Sequence, residues 1–458
     1  MSVKKPAVQP SAREIALLIL LEVEKKGAYA NLALKQGLDC HSLNEADKRL
    51  ISEIVYGSIR MQAALDYLLA GLLNRPLAKL SPPIRQILRL SLYQLLYLER
   101  LPRAAIVHQA VELAKRYGHA GTVSLTNGVL RAFLRLERAT MLPDESNIRA
   151  YLNITLSYPG WLVDYLLESW PAHEVKAFCR YHNQHQGLDL RINTLRTSRE
   201  EFLGELAVMK ILARAGALAP ESLIVEEGAA NLPALLAQGN FTIQGQASQL
   251  AAHALNPKPG SKVIDLCAAP GGKTTHLAQL MQNSGEILAL DLHPHRLRLL
   301  EENAARMGIN IITAMAADGR ELPISYHGYA DYLLLDAPCS GLGVLGRRAD
   351  ARWRKQPADI EAMADLSGTL LRAAAAYVKP GGYLCYTTCT ITKEENTQNI
   401  SRFLAEKPDF RLTPMIKLAG FFPNERDKKA ALSGYLQLLP QIHGVEGFFI
   451  TLLRKEGA

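Results

Sequence analysis

Lys262-Val-Ile-Asp265-Leu-Cys267-Ala268-Ala269-Pro270-Gly271-Gly272-Lys273-Thr274 opens as a short apolar strand, turns through a proline and two glycines, and runs into a helical pattern. Glycines between a strand and a helix let a ligand approach the backbone closely, beside the positive N-terminus of the helix. Gly272-Lys273-Thr274 imitates the end of a nucleotide P-loop. That motif needs a glycine five residues before Gly272, where Cys267 stands. No G-x-G-x-x-G is present, which argues against a dinucleotide site.

The surrounding sequence alternates. Strands are expected at Lys262–Leu266, Glu286–Leu290, Ile309–Thr313, Tyr332–Asp336, Tyr383–Thr387 and Phe448–Leu453. Helical patterns fall between them, for instance at Thr274–Met281, Leu297–Met307 and Ile360–Tyr377. Such βαβ units predict a doubly wound, mostly parallel, Rossmann-like α/β core over 239–458. Asp291 ends the second of these strands, 19 residues after Gly272. An acid at that spacing suits the two hydroxyls of a ribose. Asp318, after the third strand, suits an adenine amino group. An adenosine ligand with no phosphate requirement points to S-adenosylmethionine. Asp265 and Asp336 would favour its sulfonium charge.

The fourth strand delivers Leu335-Asp336-Ala337-Pro338-Cys339-Ser340-Gly341, and the fifth Tyr386-Thr387-Thr388-Cys389-Thr390. Ligands bind at the C-terminal ends of strands in open α/β sheets, so an aspartate and two cysteines are expected at one site. Amino-group methyltransferases place Pro-Pro and an aromatic after the acid. Here Ala337-Pro338-Cys339 stands instead. Carbon 5 of a pyrimidine is too weak a nucleophile to take a methyl unless a thiolate first adds to carbon 6. That chemistry calls for a cysteine nucleophile, an acid near N3 and a means of eliminating the adduct. From the residues alone either cysteine could be the nucleophile. Cys267 and Cys385 are expected to pack.

Toward the N-terminus the pattern changes. Residues 1–140 hold 20 Lys/Arg and 11 Asp/Glu, a net of +9, within a chain whose total is +8. A basic region attached to a neutral body suggests a polyanion-binding module. Ser11-Ala-Arg-Glu14 has the form of a capping box. Ser81-Pro82-Pro83 opens a helix with an apolar stripe of Ile84, Ile87, Leu88, Leu92, Leu95 and Leu96. A further helix covers Ile106–Tyr117 and stops at Gly118. An all-α bundle is expected over 1–143, with a polar, disordered tail at Met1–Pro10 and a linker at Met141–Asn147. A small α+β domain is expected over 144–238, with strands at Leu188–Asn193 and Ser222–Val225 and a helix at Arg199–Met209. Just past Cys339, Arg347, Arg348, Arg352, Trp353, Arg354 and Lys355 cluster, a composition suited to RNA phosphate contact and base stacking.

Several classes are excluded or disfavoured. No apolar run reaches the ~20 residues that span a bilayer. The six cysteines are too sparse for a disulfide framework and form no CxxC pairs of zinc type, so a cytoplasmic chain without metal is expected.

The segments Asp265–Thr274, Asp291, Asp318, Asp336–Gly341 and Thr387–Thr390 resemble the RNA cytosine-5 methyltransferase family. The resemblance implies that Cys389 attacks carbon 6, that Cys339 assists release of the methylated base, and that Asp336 hydrogen-bonds N3. Asp350 and Trp353 match a basic-Asp-x-x-Trp pattern of that family. DNA cytosine methyltransferases use the Pro-Cys cysteine as nucleophile, so these roles rest on the resemblance. Asp47-Lys48-Arg49-Leu50, Tyr56-Gly57 and Asn127–Arg131 resemble the NusB-type RNA-binding helical fold. Arg191–Leu195, Gly245–Ser248 and Gly447–Phe449 resemble segments that flank the family's core. Glu446, where the family usually has Asp, and Gly346, where it tends to be basic, depart from the pattern outside the proposed chemistry. The combination implies the branch acting on 16S ribosomal RNA, with cytosine 967 as target. The substrate is expected as 16S rRNA or an early small-subunit assembly intermediate, and the enzyme as a monomer away from membranes. A tRNA substrate, or an RNA-binding factor with vestigial catalysis, are the alternatives.

Overall fold

The first helix, Ala12–Lys26, begins where the Ser11 hydroxyl accepts the Glu14 amide at 3.3 Å. The expected capping box is only half formed. The Glu14 carboxylate turns instead to Arg116 and Tyr117, at 2.5 and 3.0 Å, and ties the first helix to the sixth. Helices Ala30–Asp39, Glu45–Arg60, Gln62–Leu72, Pro82–Tyr97, Arg103–Tyr117 and Ala120–Phe133 complete a bundle. Pro82–Tyr97 is buried around its whole circumference from Gln86 to Leu95, so the expected stripe was too narrow: this is the central helix of the bundle. In the computed structural model, the residues described are 10–136, 142–184 and 187–457. Most of the polar tail Met1–Pro10 and Met141 of the linker therefore lie outside the described residues.

The chain forms two compact units. One comprises the residues up to Asn183 together with Leu345–Arg354, the other Gln184–Val344 and the chain from Lys355 onward. The segment 144–238, expected as one small domain, divides at this point. Its helices Gly160–Ser169 and Ala172–Asn183 belong to the helical unit, where Tyr151–Thr155 packs on Gln62–Leu72. Its strands belong to the second unit.

Those strands are β1 (Leu188–Ile192), β2 (Leu212–Ala215), β3 (Ser222–Glu227) and β4 (Phe241–Ile243), an antiparallel sheet in the order β2-β3-β1-β4. Leu190, Ile192, Phe202, Leu206, Leu223, Val225 and Phe241 form its core against the helix Arg199–Val208.

The second sheet contains β5 (Lys262–Asp265), β6 (Glu286–Asp291), β7 (Ile312–Ala316), β8 (Ala330–Asp336), β9 (Val378–Thr388), β10 (Phe410–Leu412), β11 (Tyr435–Leu438) and β12 (Phe448–Lys455). Its order is β10-β12-β9-β8-β5-β6-β7, with β11 also on β12. The five strands from β9 to β7 run parallel, and β12 and its partners close the edge antiparallel. The strand order reverses at β5, which lies between β6 and β8, and that is where open α/β sheets bind ligands. β7 starts three residues later than its apolar pattern suggested. Ile309 does not enter the strand: its amide bonds the Ala304 carbonyl just past the left-handed Gly308, so it is the apolar residue that closes the preceding helix. Among the described residues, no helix is long and apolar enough to cross a membrane.

Candidate active site

The loop after β5 is shaped by its glycines. Gly271 has φ +97°, and a Cβ there would lie 2.8 Å from the Leu300 side chain, so only glycine allows the turn into helix Gly272–Leu280. Behind the loop, the wholly buried Arg191 donates to Gln279 and Thr275, both at 2.8 Å, and to the Gly272 carbonyl and Gln244. The small antiparallel sheet thus supports the loop directly. This role of Arg191 could not be read from the sequence.

Asp265 ends β5 inside the protein. Its Oδ2 accepts the Thr274 hydroxyl at 2.8 Å, while its Oδ1 is buried without a partner. Burial pushes its carboxyl up to about 7, the nearby Asp336 charge adds to this, and the Thr274 bond opposes it. Asp291 at the end of β6 accepts the His293 amide at 2.9 Å and pairs with Arg296 at 3.0 Å. Arg296 also bonds the Ala269 carbonyl at 2.7 Å, tying Asp291 to the loop. Asp318, two residues beyond β7, pairs with Arg320 at 2.6 Å, which holds its carboxyl below the usual range. Acids thus follow three adjacent strands in spatial order, beside a loop with no room for a Cβ and a buried carboxyl oxygen without a partner. This donor set fits an adenosine carrying a cationic centre. Cys267 is half-buried against the neighbouring core, its thiol pushed up by burial and then by Asp265.

β8 and β9 run in parallel register with Asp336 opposite Thr387. The loops that follow them therefore meet. The Sγ atoms of Cys339 and Cys389 are 3.3 Å apart. Asp336 Oδ1 accepts the Thr387 hydroxyl at 2.8 Å, and Oδ2 pairs with Lys273 Nζ at 2.6 Å. The ammonium also lies 5.2 Å from the Phe448 ring centroid. Burial disfavours its charge, but the Asp336 carboxylate outweighs burial and holds Lys273 above its ordinary value. The bond to Cys389, and then burial, push the Cys339 thiol well above the usual range. Cys385 is wholly buried, on the opposite face of β9 from Tyr386.

Both cysteine loops hang on one residue absent from the sequence reading. Glu395 is wholly buried in a π-helical turn, Glu394–Gln398, a form common at functional sites. Its carboxylate accepts the Ser340 amide, the Ser340 hydroxyl and the Thr392 hydroxyl, all at 2.6 Å. Ser340 Oγ also lies 2.8 Å from Thr390 Oγ1. In the sequence Glu395 is one of two adjacent acids, with Glu394, shortly after Cys389, and nothing there distinguishes it.

The expected RNA-contact cluster requires correction. Arg352 is wholly buried, stacked 4.1 Å over Tyr158 and bonded to Asn183 Oδ1 at 2.9 Å and the Ser157 carbonyl at 3.1 Å. Trp353 donates its indole N–H to the Ile59 carbonyl at 2.7 Å. Arg354 donates to the carbonyls of Gly27 and Ala28, and Asp350 accepts the Ala30 amide. Arg352 and Asp350 are interior to the helical unit, while Trp353 and Arg354 are half-buried and held by bonds within it. A cluster of arginines around an aromatic has the same composition in either role, and only burial separates them. Arg347 is half-buried and Arg348 is exposed.

A loop of this kind after the first parallel strand, with acids after its neighbours and thiols after the next two, makes the second unit a methyltransferase core. Comparison with known proteins narrows the class. The family model described as 16S rRNA methyltransferase RsmB/F matches residues 252–454. The NusB family matches 10–135, and an RsmF/B-like ferredoxin-like domain matches 158–231. A Bacillus subtilis protein named "Probable ribosomal RNA small subunit methyltransferase B" is 39% identical, over 98% of this chain and 99% of its own. The solved structure "Crystal Structure of PH0851" superposes with a TM-score of 0.81 at 30% identity, covering 99% of this chain and all of that one. NSun6 from Pyrococcus horikoshii, solved with the S-adenosylmethionine analogue SFG, gives a TM-score of 0.59 at 26% identity, covering 67% of this chain and all of that one. The chain belongs to the 16S rRNA methyltransferase RsmB/F family.

Proposed function

We propose that this protein transfers the methyl group of S-adenosylmethionine to carbon 5 of a cytosine in 16S rRNA, with cytosine 967 as the expected target. The observation that carries this reading is the 3.3 Å approach of two thiols beside the Lys273–Asp336 pair. Methylation of an amine has no use for such a pair, whereas carbon 5 needs one sulfur to enter and another group to help it leave.

S-adenosylmethionine supplies an electrophilic methyl carbon. Asp291 would hold its ribose, Asp318 its adenine, and the loop Cys267-Ala268-Ala269-Pro270-Gly271-Gly272-Lys273-Thr274 its backbone-facing edge. The Cys389 thiolate adds to carbon 6, and the carbon 5–carbon 6 π-pair becomes available at carbon 5. N3 takes up a proton and donates a hydrogen bond to Asp336. Transfer to carbon 5 would break the donor's methyl–sulfonium bond and leave S-adenosylhomocysteine; carbon 5 then loses its proton to a base, the carbon 6–sulfur bond breaks to return the thiolate, and N3 gives back the proton it took up. The choice of Cys389 as nucleophile follows the family resemblance, and at 3.3 Å the Cys339 S–H could donate to a Cys389 thiolate. Cys339 then remains to assist release. Arg348, exposed, and Arg347 are the candidates for phosphate contact from the basic segment.

The test is methyl transfer onto 16S rRNA, an assembling small subunit and tRNA, run side by side. Cys389→Ala should abolish transfer, and Cys339→Ala should accumulate a covalent RNA–protein adduct on a denaturing gel. Full activity of Cys389→Ala, or preferred methylation of tRNA, would overturn the corresponding part of the reading.

A further inference from the structure

Glu221, His253 and His276 form a cluster that methyl transfer does not use. Glu221 sits in the turn before β3, His253 on helix Gln246–Leu255, and His276 on helix Gly272–Leu280. All three are buried, with 6% or less of each side chain exposed. Their donor atoms lie within 4.8 Å of one another.

As a hydrogen-bonded cluster this arrangement is incomplete. His253 Nε2 bonds Glu221 Oε1 at 2.9 Å. His276 Nε2 approaches the same oxygen to 2.7 Å yet is not aligned to hydrogen-bond it. His253 Nδ1 and His276 Nδ1 have no hydrogen-bond partner, and His276 Nε2 has only its poorly aligned contact to Glu221. Buried polar groups are nearly always satisfied. Two imidazole nitrogens gathered on one buried carboxylate oxygen, all within 4.8 Å, are a donor set that an ion could complete.

We propose that Glu221 Oε1, His253 Nε2 and His276 Nε2 form a buried binding site for a divalent transition cation of the zinc class. Two imidazoles and a carboxylate suit that ion. At ligand distances of about 2.0–2.1 Å, tetrahedral donors stand about 3.3 Å apart. The two contacts to Glu221 Oε1, at 2.9 and 2.7 Å, would open by about half an ångström, and the two imidazoles, whose ligand atoms lie within 4.8 Å, would adjust to it. A groove of about 480 Å³, lined by Thr194, Arg196 and Pro220 among others, borders Glu221. The nearby Arg191 adds positive charge, so an exchangeable ion, removable by chelator, is expected. The ion would pin the antiparallel sheet to the two helices, one of which carries Lys273 a turn before His276.

The site is independent of the methylation chemistry, and its test avoids activity. Thiols at Cys339 and Cys389 also bind zinc, so the measurement uses the full chain in a Cys339→Ser/Cys389→Ser background. After chelation and dialysis, Zn²⁺ should bind with one equivalent and raise Tm, and EDTA should reverse the shift. Co²⁺ should give intense visible bands of a four-coordinate site without thiolate charge-transfer absorption. Both should disappear in His253→Gln/His276→Gln, checked for folding by circular dichroism. Absence of stoichiometric binding and of a Tm shift in the Cys339→Ser/Cys389→Ser background would overturn the proposal, whether or not the histidine variant folds. So would retention of the ion in the folded histidine variant.

Discussion

Glu395 accepts both the backbone N–H and the hydroxyl of Ser340, each at 2.6 Å. Ser340 follows Cys339, and Thr390, which follows Cys389, shares the same hydroxyl at 2.8 Å. The carboxylate therefore sets one sulfur against the other. Glu395→Gln keeps the shape but exchanges an acceptor oxygen for a donor that faces hydroxyls and an amide. Losing one charge-assisted bond costs about 1.5–3 kcal/mol, roughly tenfold to a hundredfold if it falls on alignment in the transition state. We expect Glu395→Gln to lower kcat by that factor with KM for RNA little changed, and to prolong the covalent adduct as Cys339→Ala does. A parallel fall of kcat and Tm without added adduct would mark Glu395 as a purely structural residue.

Asp265 carries a pH signature. Its carboxyl is raised to about 7 from an ordinary 3.8. The folded state therefore holds the proton more tightly than the unfolded chain. The stability that this gives is complete below about pH 4 and is lost as pH rises through about 7. Asp265→Asn, which stays neutral, should be more stable than the parent at pH 8 by roughly 2–4 kcal/mol, with the gain vanishing near pH 4. Denaturant unfolding of both proteins at the two pH values measures it. A cationic ligand beside Asp265 favours its ionised form. S-adenosylmethionine should therefore bind the parent more tightly from pH 6 to 8 with proton release, and calorimetry on Asp265→Asn should show neither trend.

What the sequence revealed follows from how local each signal is. The loop after β5 and the acids after β6 and β7 are legible because a strand, a glycine turn and a helix are contiguous. The meeting of Cys339 and Cys389 was also legible, because parallel neighbours bring successive strand ends together. β2 and β4 were not, being four and three residues long with exposed positions at Leu212 and Ile243. Arg191 and Glu395 escaped notice because their partners are distant in sequence or lie in an irregular turn. The Glu221–His253–His276 cluster has no short spacing to find. The absence of CxxC pairs speaks only to cysteine ligands. Arg352 misled because the same composition serves an interior and an RNA-facing surface.

That last ambiguity is experimentally separable. Arg352→Ala would leave the Ser157 carbonyl and Asn183 Oδ1 without their donor and open a void against Tyr158. A loss of roughly 2–4 kcal/mol in the helical unit is expected. Hydrogen exchange should show it as weakened protection in helices Glu45–Arg60 and Ala172–Asn183. Arg348→Ala should leave that protection unchanged. If Arg348 meets phosphate, its loss weakens RNA binding evenly across sequences and reduces the salt slope of the affinity by about one. An RNA-binding defect in Arg352→Ala with full protection would restore the original reading of that residue.

Gly343 joins three parts of the catalytic unit at the backbone. Its N–H bonds the Cys389 carbonyl at 3.0 Å, and its carbonyl accepts the Gly447 amide at 2.8 Å. A Cβ at Gly343 would stand 2.0 Å from the Gly447 carbonyl oxygen and 2.8 Å from that of Cys389. Neither is a flexible side chain, so the strand ends themselves must separate. Gly343→Ala should cost about 1–3 kcal/mol as an overpacked site and displace Cys389 relative to Cys339. Gly381 provides the comparison. It has φ +80° and nothing within 4 Å of an added Cβ, so Gly381→Ala should cost about 1–2 kcal/mol from backbone conformation alone. At matched loss of Tm, only Gly343→Ala should lower the rate of covalent adduct formation with RNA. Equal adduct rates in the two variants would show that the Gly343 contact does not align the thiols.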